Sequence, residues 1–141
     1  MHLLLMFYLN LGLIIFQMTF SGQDNPVKTF EEANASLFYS IILERDDEVI
    51  IDVRTWKEFK KCRLENASLA ETSDFLKDIV KDCLPETPLL VYCEDGDRSR
   101  QACILLVDMG FTNVYNLSGG LNEWIENDYP LDRTRAKKNK K

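Results

Sequence analysis

The chain has a single histidine, His2, and it lies in the apolar start of the sequence. A Ser-His-Asp triad, a Cys-His nucleophile pair and a histidine-ligated zinc site therefore all lack their imidazole. Any nucleophile elsewhere must be activated by something other than histidine. Basic charge is also scarce: 17 Lys and Arg stand against 23 Asp and Glu, a formal net charge of −6. That balance argues against a nucleic-acid partner, which would call for a basic stripe. Part of the positive charge is collected in residues 133–141, which read as a solvated, basic flexible tail. Glycine and proline are sparse, 6 and 4 in 141 residues, so low-complexity segments are not expected and the length suits one domain.

Hydrophobic residues make up 45% of the chain, enough for a packed core. Residues 3–20 are almost wholly apolar, interrupted by Asn10 and Gln17, and a polar stretch follows at 21–25. This reads as a secretory signal peptide over residues 1–22, with an exported product, periplasmic or secreted. The segment carries no Lys or Arg, and a retained membrane anchor is the alternative, since about 20 apolar residues cross a bilayer. Membrane contact is expected only if that segment stays attached. Sequons at Asn34, Asn66 and Asn116 bear only on a eukaryotic secretory route. The folded domain is placed at residues 23–132.

Within it, apolar residues at Phe30, Ala33, Leu37, Ile41 and Ile42 have helical spacing and predict a helix over 30–43. Val49-Ile50-Ile51 reads as a buried strand ending at Asp52-Val53-Arg54. Thr55 is a cap for a short helix over 56–61. Phe75, Ile79, Val80 and Leu84 predict a helix from about Ser73, with Pro85 beyond its end. Leu89-Leu90-Val91-Tyr92 reads as a second buried strand, residues 98–109 as a helix stopped by Gly110, and Val114-Tyr115-Asn116-Leu117 as a third strand. Gly119-Gly120 is a turn before a last short helix over 121–127 holding Trp124. Alternating strands and helices imply a parallel sheet covered on both faces. Ligands of such sheets bind beyond the carboxyl ends of the strands, and Cys93 stands at one of those ends.

The segment Cys93-Glu94-Asp95-Gly96-Asp97-Arg98-Ser99 joins that strand to the next helix. A loop this short can aim backbone N–H groups at the sulfur. Together with the positive end of the helix they make an anion cradle over 94–98 that favours a thiolate or a persulfide. Gly96 supplies the freedom the turn needs, and Arg98 adds fixed charge at the rim. The plain alternative is a core cysteine at a strand end.

The sequence resembles the rhodanese family over essentially the whole of the domain. Ile51-Asp52-Val53-Arg54-Thr55, Glu58-Phe59 and Ala67 follow the family's first signature. Val91-Tyr92-Cys93, Gly96, Arg98-Ser99 and Ala102 follow the active-loop signature. Gly110-Phe111, Val114, Leu117, Gly119-Gly120 and Trp124 follow the last. The resemblance implies a three-layer α/β/α fold around a parallel five-stranded sheet. It also implies sulfur transfer by double displacement, with Cys93 as nucleophile and sulfur carrier and Glu94, Asp95, Gly96, Asp97 and Arg98 as cradle and rim. A small sulfur donor and a thiol acceptor, or a partner protein's persulfide, are the implied partners. Nothing points to a metal or an organic cofactor. Phosphatases and arsenate reductases of this fold carry Arg six places after the cysteine; here Arg98 follows by five, which favours the smaller pocket. Asp52, Arg54 and Glu58 match residues read as structural, and an Arg54–Glu58 ion pair is expected.

The chain also departs from the family pattern. Glu94, Asp95 and Asp97 put three carboxylates around a site that should hold an anion. They should weaken recruitment of dianionic thiosulfate, unless they simply face solvent. Cys62-Arg63 replaces a Gly-His pair, and Asn66 replaces a later glycine. Cys62 and Cys83 are a candidate disulfide pair. Cys103 is either core filler or a thiol that resolves a Cys93 persulfide or disulfide. The competing function is an exported redox or partner-binding module without efficient sulfur transfer.

Overall fold

A computed structural model describes residues 29–136. The signal-peptide or anchor segment at 1–22 and the tail residues 137–141 lie outside the described residues. Among those described, no helix is long and apolar enough to cross a membrane.

Five strands form one parallel sheet: β1 (Glu31–Ala33), β2 (Val49–Asp52), β3 (Ser68–Leu69), β4 (Leu89–Tyr92) and β5 (Val114–Leu117), in the order β1-β5-β4-β2-β3. The register aligns Val49 with Leu89 and Leu89 with Val114. All four residues of β4 are buried, as a central strand covered on both faces requires. Alternate side chains then feed two cores. Ile51, Leu89, Val91 and Val114 pack with Leu76, Val80, Leu106 and Phe111 on one face. Ile50, Leu90, Tyr92 and Leu117 pack with Phe38, Leu121 and Trp124 on the other. The first face is covered by α3 (Ser73–Val80) and α4 (Asp97–Asp108). The second is covered by α1 (Ala35–Glu44) and α5 (Gly120–Glu126). One further helical turn, α2 (Trp56–Phe59), follows β2, and a capping box between Thr55 and Glu58 closes its start. The result is the expected three-layer α/β/α fold.

Two strands escaped the sequence pattern. The predicted helix over 30–43 is strand β1 followed by a helix that starts at Ala35. Asn34 makes the break: its side chain accepts the Leu37 amide at 2.9 Å, capping α1. Phe30 and Ala33 matched the helical period, but Ala33 belongs to the sheet, opposite Leu117. Strand β3 has only two residues, too few to show a period.

The candidate Cys62–Cys83 disulfide is not formed: both thiols are free. Cys62 packs against the Trp124 core and Cys83 against the Leu106 core, so the sheet stands between them. Asn66, at a position where the family pattern has glycine, takes the left-handed conformation with φ 60°. Asparagine tolerates that region better than most residues. Arg63 pairs with Asp132 in an antiparallel bridge and an ion pair, and also reaches Thr134. The first residues after the domain are thereby tied to the loop after α2.

Candidate functional site

The loop after β4 rests on bare backbone. The Leu121 and Asn122 amides, at the start of α5, donate to the carbonyls of Cys93 (2.8 Å) and Glu94 (3.1 Å). Gly120 lies so close beneath that a Cβ there would come within 2.4 Å of the Glu94 carbonyl and the Asp95 amide. Gly96 turns the chain at φ 95°, and a Cβ on it would stand 2.1 Å from the Ser118 carbonyl oxygen. Only glycine meets both demands at position 96, the left-handed turn and the contact.

This fixed curve brings three donors to one sulfur. The Gly96 amide is 3.2 Å from Cys93 Sγ, the Ser99 amide 3.4 Å and the Ser99 hydroxyl 3.3 Å. Ser99 is in the first turn of α4, where backbone amides have no partner inside the helix and the helix dipole is positive. Cys93 is completely buried, and its sulfur accepts from the Gly96 and Ser99 amides. Negative charge on this atom, or on a second sulfur bound to it, meets hydrogen-bond donors in a site shielded from water.

The expected cradle residues are sorted by the structure. Gly96 donates to the sulfur. The Asp97 amide turns instead to the Asp95 carboxylate at 3.2 Å. Asp95 Oδ1 is 3.5 Å from the sulfur, near enough to accept the thiol proton. The Asp97 amide, and then the Cys93 thiol, hold the Asp95 carboxyl below its ordinary range. Ser99 is the donor that the sequence reading left out of the site. Its place as third residue of the helix was the available signal, because that amide belongs to the unpaired set.

The ion pairs differ from expectation. Arg54 does not pair with Glu58. Its guanidinium is buried against Asp52 at 2.7 Å, reaches the Cys62 carbonyl at 2.7 Å, and extends to Glu94 at 3.2 Å. Burial opposes the Arg54 charge, but the Asp52 carboxylate outweighs it and raises the pKa. Glu58 bends back to cap α2 through Thr55, which turns its carboxylate toward Arg98 at 2.7 Å. Arg98 holds the Glu58 carboxyl far below the ordinary range. The rim charges thus form pairs: Glu94 with Arg54, Arg98 with Glu58, and Asp97 with Arg100 at 3.3 Å. Asp95, exposed, stands closest to the sulfur.

Cys103, the expected filler or resolving thiol, is completely buried among Val91, Leu106 and Val107, and burial raises its thiol pKa. That environment favours the filler role. Among the described residues, no group of three or more His, Cys, Asp or Glu side chains is placed to hold a metal ion.

Comparison with known proteins identifies the family of the domain. The model of the rhodanese-like domain matches residues 35–127. Thiosulfate sulfurtransferase GlpE of Glaesserella parasuis is 27% identical, over 74% of this chain and 95% of that protein. Protein HIGH ARSENIC CONTENT 1, mitochondrial, of Arabidopsis thaliana is 30% identical over 59% of this chain and 56% of its own length. A tRNA uridine(34) hydroxylase of Bdellovibrio bacteriovorus is 29% identical over 66% of this chain, and the match spans 27% of that enzyme. The chain therefore corresponds to about half or less of these last two relatives. Among solved structures, a rhodanese-related protein from Thermoplasma volcanium superposes with a TM-score of 0.62 at 26% identity. That match covers 74% of this chain and all of the other.

Proposed function

Because the chain belongs to the rhodanese-like domain family, we propose that it is a sulfurtransferase carrying sulfane sulfur as a persulfide on Cys93. The observation that carries this reading is the convergence of the Gly96 and Ser99 amides and the Ser99 hydroxyl on one sulfur atom. The Cys93 thiolate attacks the outer sulfur of a donor such as thiosulfate. A new S–S bond forms, the donor's S–S bond breaks, and sulfite leaves with the electron pair. The persulfide's terminal sulfur carries the negative charge that the cradle donors oppose. An acceptor thiolate then attacks that terminal sulfur. The Cys93–sulfur bond breaks, and the thiolate returns to the cradle. No imidazole is needed, because no step requires a general base once the thiolate exists.

The rim sets the donor. Asp95 beside the sulfur repels a dianion, so a neutral or cationic persulfide, or one carried by a partner protein, suits the site better than thiosulfate. The apolar residues 3–20 support an exported setting, which N-terminal sequencing of the mature protein checks through the absence of residues 1–22. For the chemistry, the protein is exposed to polysulfide or thiosulfate and analysed by mass spectrometry. The expected result is a gain of about 32 Da, one sulfur atom, on the peptide holding Cys93. Absence of an adduct with every sulfane donor overturns the reading. So does an adduct that persists at the same level in Cys93→Ser.

A further inference from the structure

Asn116 is completely buried in β5, a strand otherwise apolar beneath α4, and its Oδ1 has no hydrogen-bond partner. A buried amide with an orphaned oxygen is a poor way to fill a core. Its other end is fully engaged. Nδ2 donates to Glu32 at 2.7 Å and to the Gly96 carbonyl at 3.2 Å. Arg100 anchors the same Glu32 carboxylate at 2.6 Å. The amide orientation follows from these partners, because the reverse would set Oδ1 against two acceptors.

The Gly96 carbonyl is where this chain of contacts meets the reacting sulfur. Three donors approach that oxygen: the Arg100 amide at 3.1 Å, the Ser99 hydroxyl at 3.1 Å and Asn116 Nδ2. A carbonyl oxygen has two lone pairs, and a serine hydroxyl has one proton to give. That proton has two destinations, the Gly96 carbonyl and Cys93 Sγ at 3.3 Å. We infer that Asn116 is a positioning residue: with the Arg100 amide it fills the Gly96 carbonyl, and so directs the Ser99 proton onto the Cys93 sulfur. Without Asn116, the oxygen is the better acceptor and takes the hydroxyl proton away. The sulfur is then left with its two amides. Glu32, from the edge strand, and Arg100 hold the device from outside.

The inference rests on Cys93 being the reacting sulfur, but its test requires no sulfur transfer. The measurement is the rate of Cys93 alkylation by iodoacetamide against pH, followed on the Cys93 peptide. The charged and titratable groups acting on that sulfur are Asp95 from its own loop and Arg98 and Cys103 from α4. Every variant keeps all three. Asn116→Leu, close in shape, should move the midpoint of the profile upward by about one pH unit, the loss of one hydrogen bond to a charged atom. Ser99→Ala should move it by a similar amount, and the double variant no further than Ser99→Ala alone. Asn116→Ala serves if the leucine distorts the sheet, and thermal unfolding identifies variants that remain folded. An unmoved midpoint in a folded Asn116 variant overturns the inference. Additive shifts in the double variant also overturn it, because a merely structural effect of Asn116 would not depend on the Ser99 hydroxyl.

Discussion

Cys93 and Cys103 share one degree of burial and little else. Both are completely inaccessible. Cys103 lies among Val91, Leu106 and Val107, where burial, more than the nearby charges, raises the thiol pKa and keeps the proton on sulfur. Cys93 receives two amides and a hydroxyl. Burial therefore does not make a cysteine inert or reactive by itself. The dipoles in contact with the sulfur decide which charge state the buried site accepts.

Five substitutions test that contrast, beginning with the largest effect. Cys93→Ser should remove about a thousandfold or more of sulfur-transfer kcat/KM, because the carrier atom is lost. Cys103→Ser should leave kcat within about twofold yet cost about 1–3 kcal/mol in urea unfolding, by placing a hydroxyl in apolar surroundings. Equal activity losses in the two would break the contrast. Gly96→Ala should make Cys93 behave like its neighbour. The added methyl meets the Ser118 carbonyl and the turn is strained, so kcat/KM should fall about a hundredfold and Cys93 alkylation should slow in parallel.

Asp95→Asn sharpens the electrostatic half of the argument. Removing the carboxylate 3.5 Å from the sulfur should raise kcat/KM for thiosulfate about fivefold, with the gain shrinking as salt is added. The smallest effect concerns the rim pair. Arg98 depresses the Glu58 carboxyl in the folded state. The stability it contributes is fully present above the ordinary glutamate range and is lost progressively as the pH falls below that range and through the depressed folded value. Glu58→Gln should therefore lower Tm by about 2–5 °C at neutral pH, and the gap should close on acidification. A gap that widens in acid would refute the pairing.

The legible parts of the fold were those with enough residues to show a period. β2, β4 and β5 are near-continuous apolar runs, and Cys93 follows the last residue of one of them. β3, with two residues, carries no pattern, and β1 merges in sequence with the helical stripe of α1, from which the Asn34 cap divides it. At the site, the cysteine and the turn glycine could be read along the chain, because both are local. The partners of Arg54 and Glu58 could not. Glu58 bonds back to Thr55, which fixes where its carboxylate points, and it meets Arg98 from α4 rather than Arg54. Asn116 was silent because it matters through groups distant in sequence, Glu32 and the Gly96 carbonyl, whereas Ser99, close to Cys93 in the chain, was legible only through its place in the first turn of α4. Asn116, offered as a glycosylation sequon, is sealed inside the sheet.

The loop's underside has a broader consequence. Its curvature is held by main-chain contacts from residues 117–122, through the two glycines and the amides of Leu121 and Asn122. Main-chain atoms are common to all residue types, so this support from beneath does not depend on the side chains at positions 94, 95 and 97, although the Asp95 carboxylate also holds the Asp97 amide. The charges at those positions can change while the Leu121 and Asn122 amides keep the carbonyls of Cys93 and Glu94 in place. The protein can thus change the company its sulfur keeps without rebuilding the pocket, and an acidic rim is an adjustment of clientele rather than a loss of chemistry.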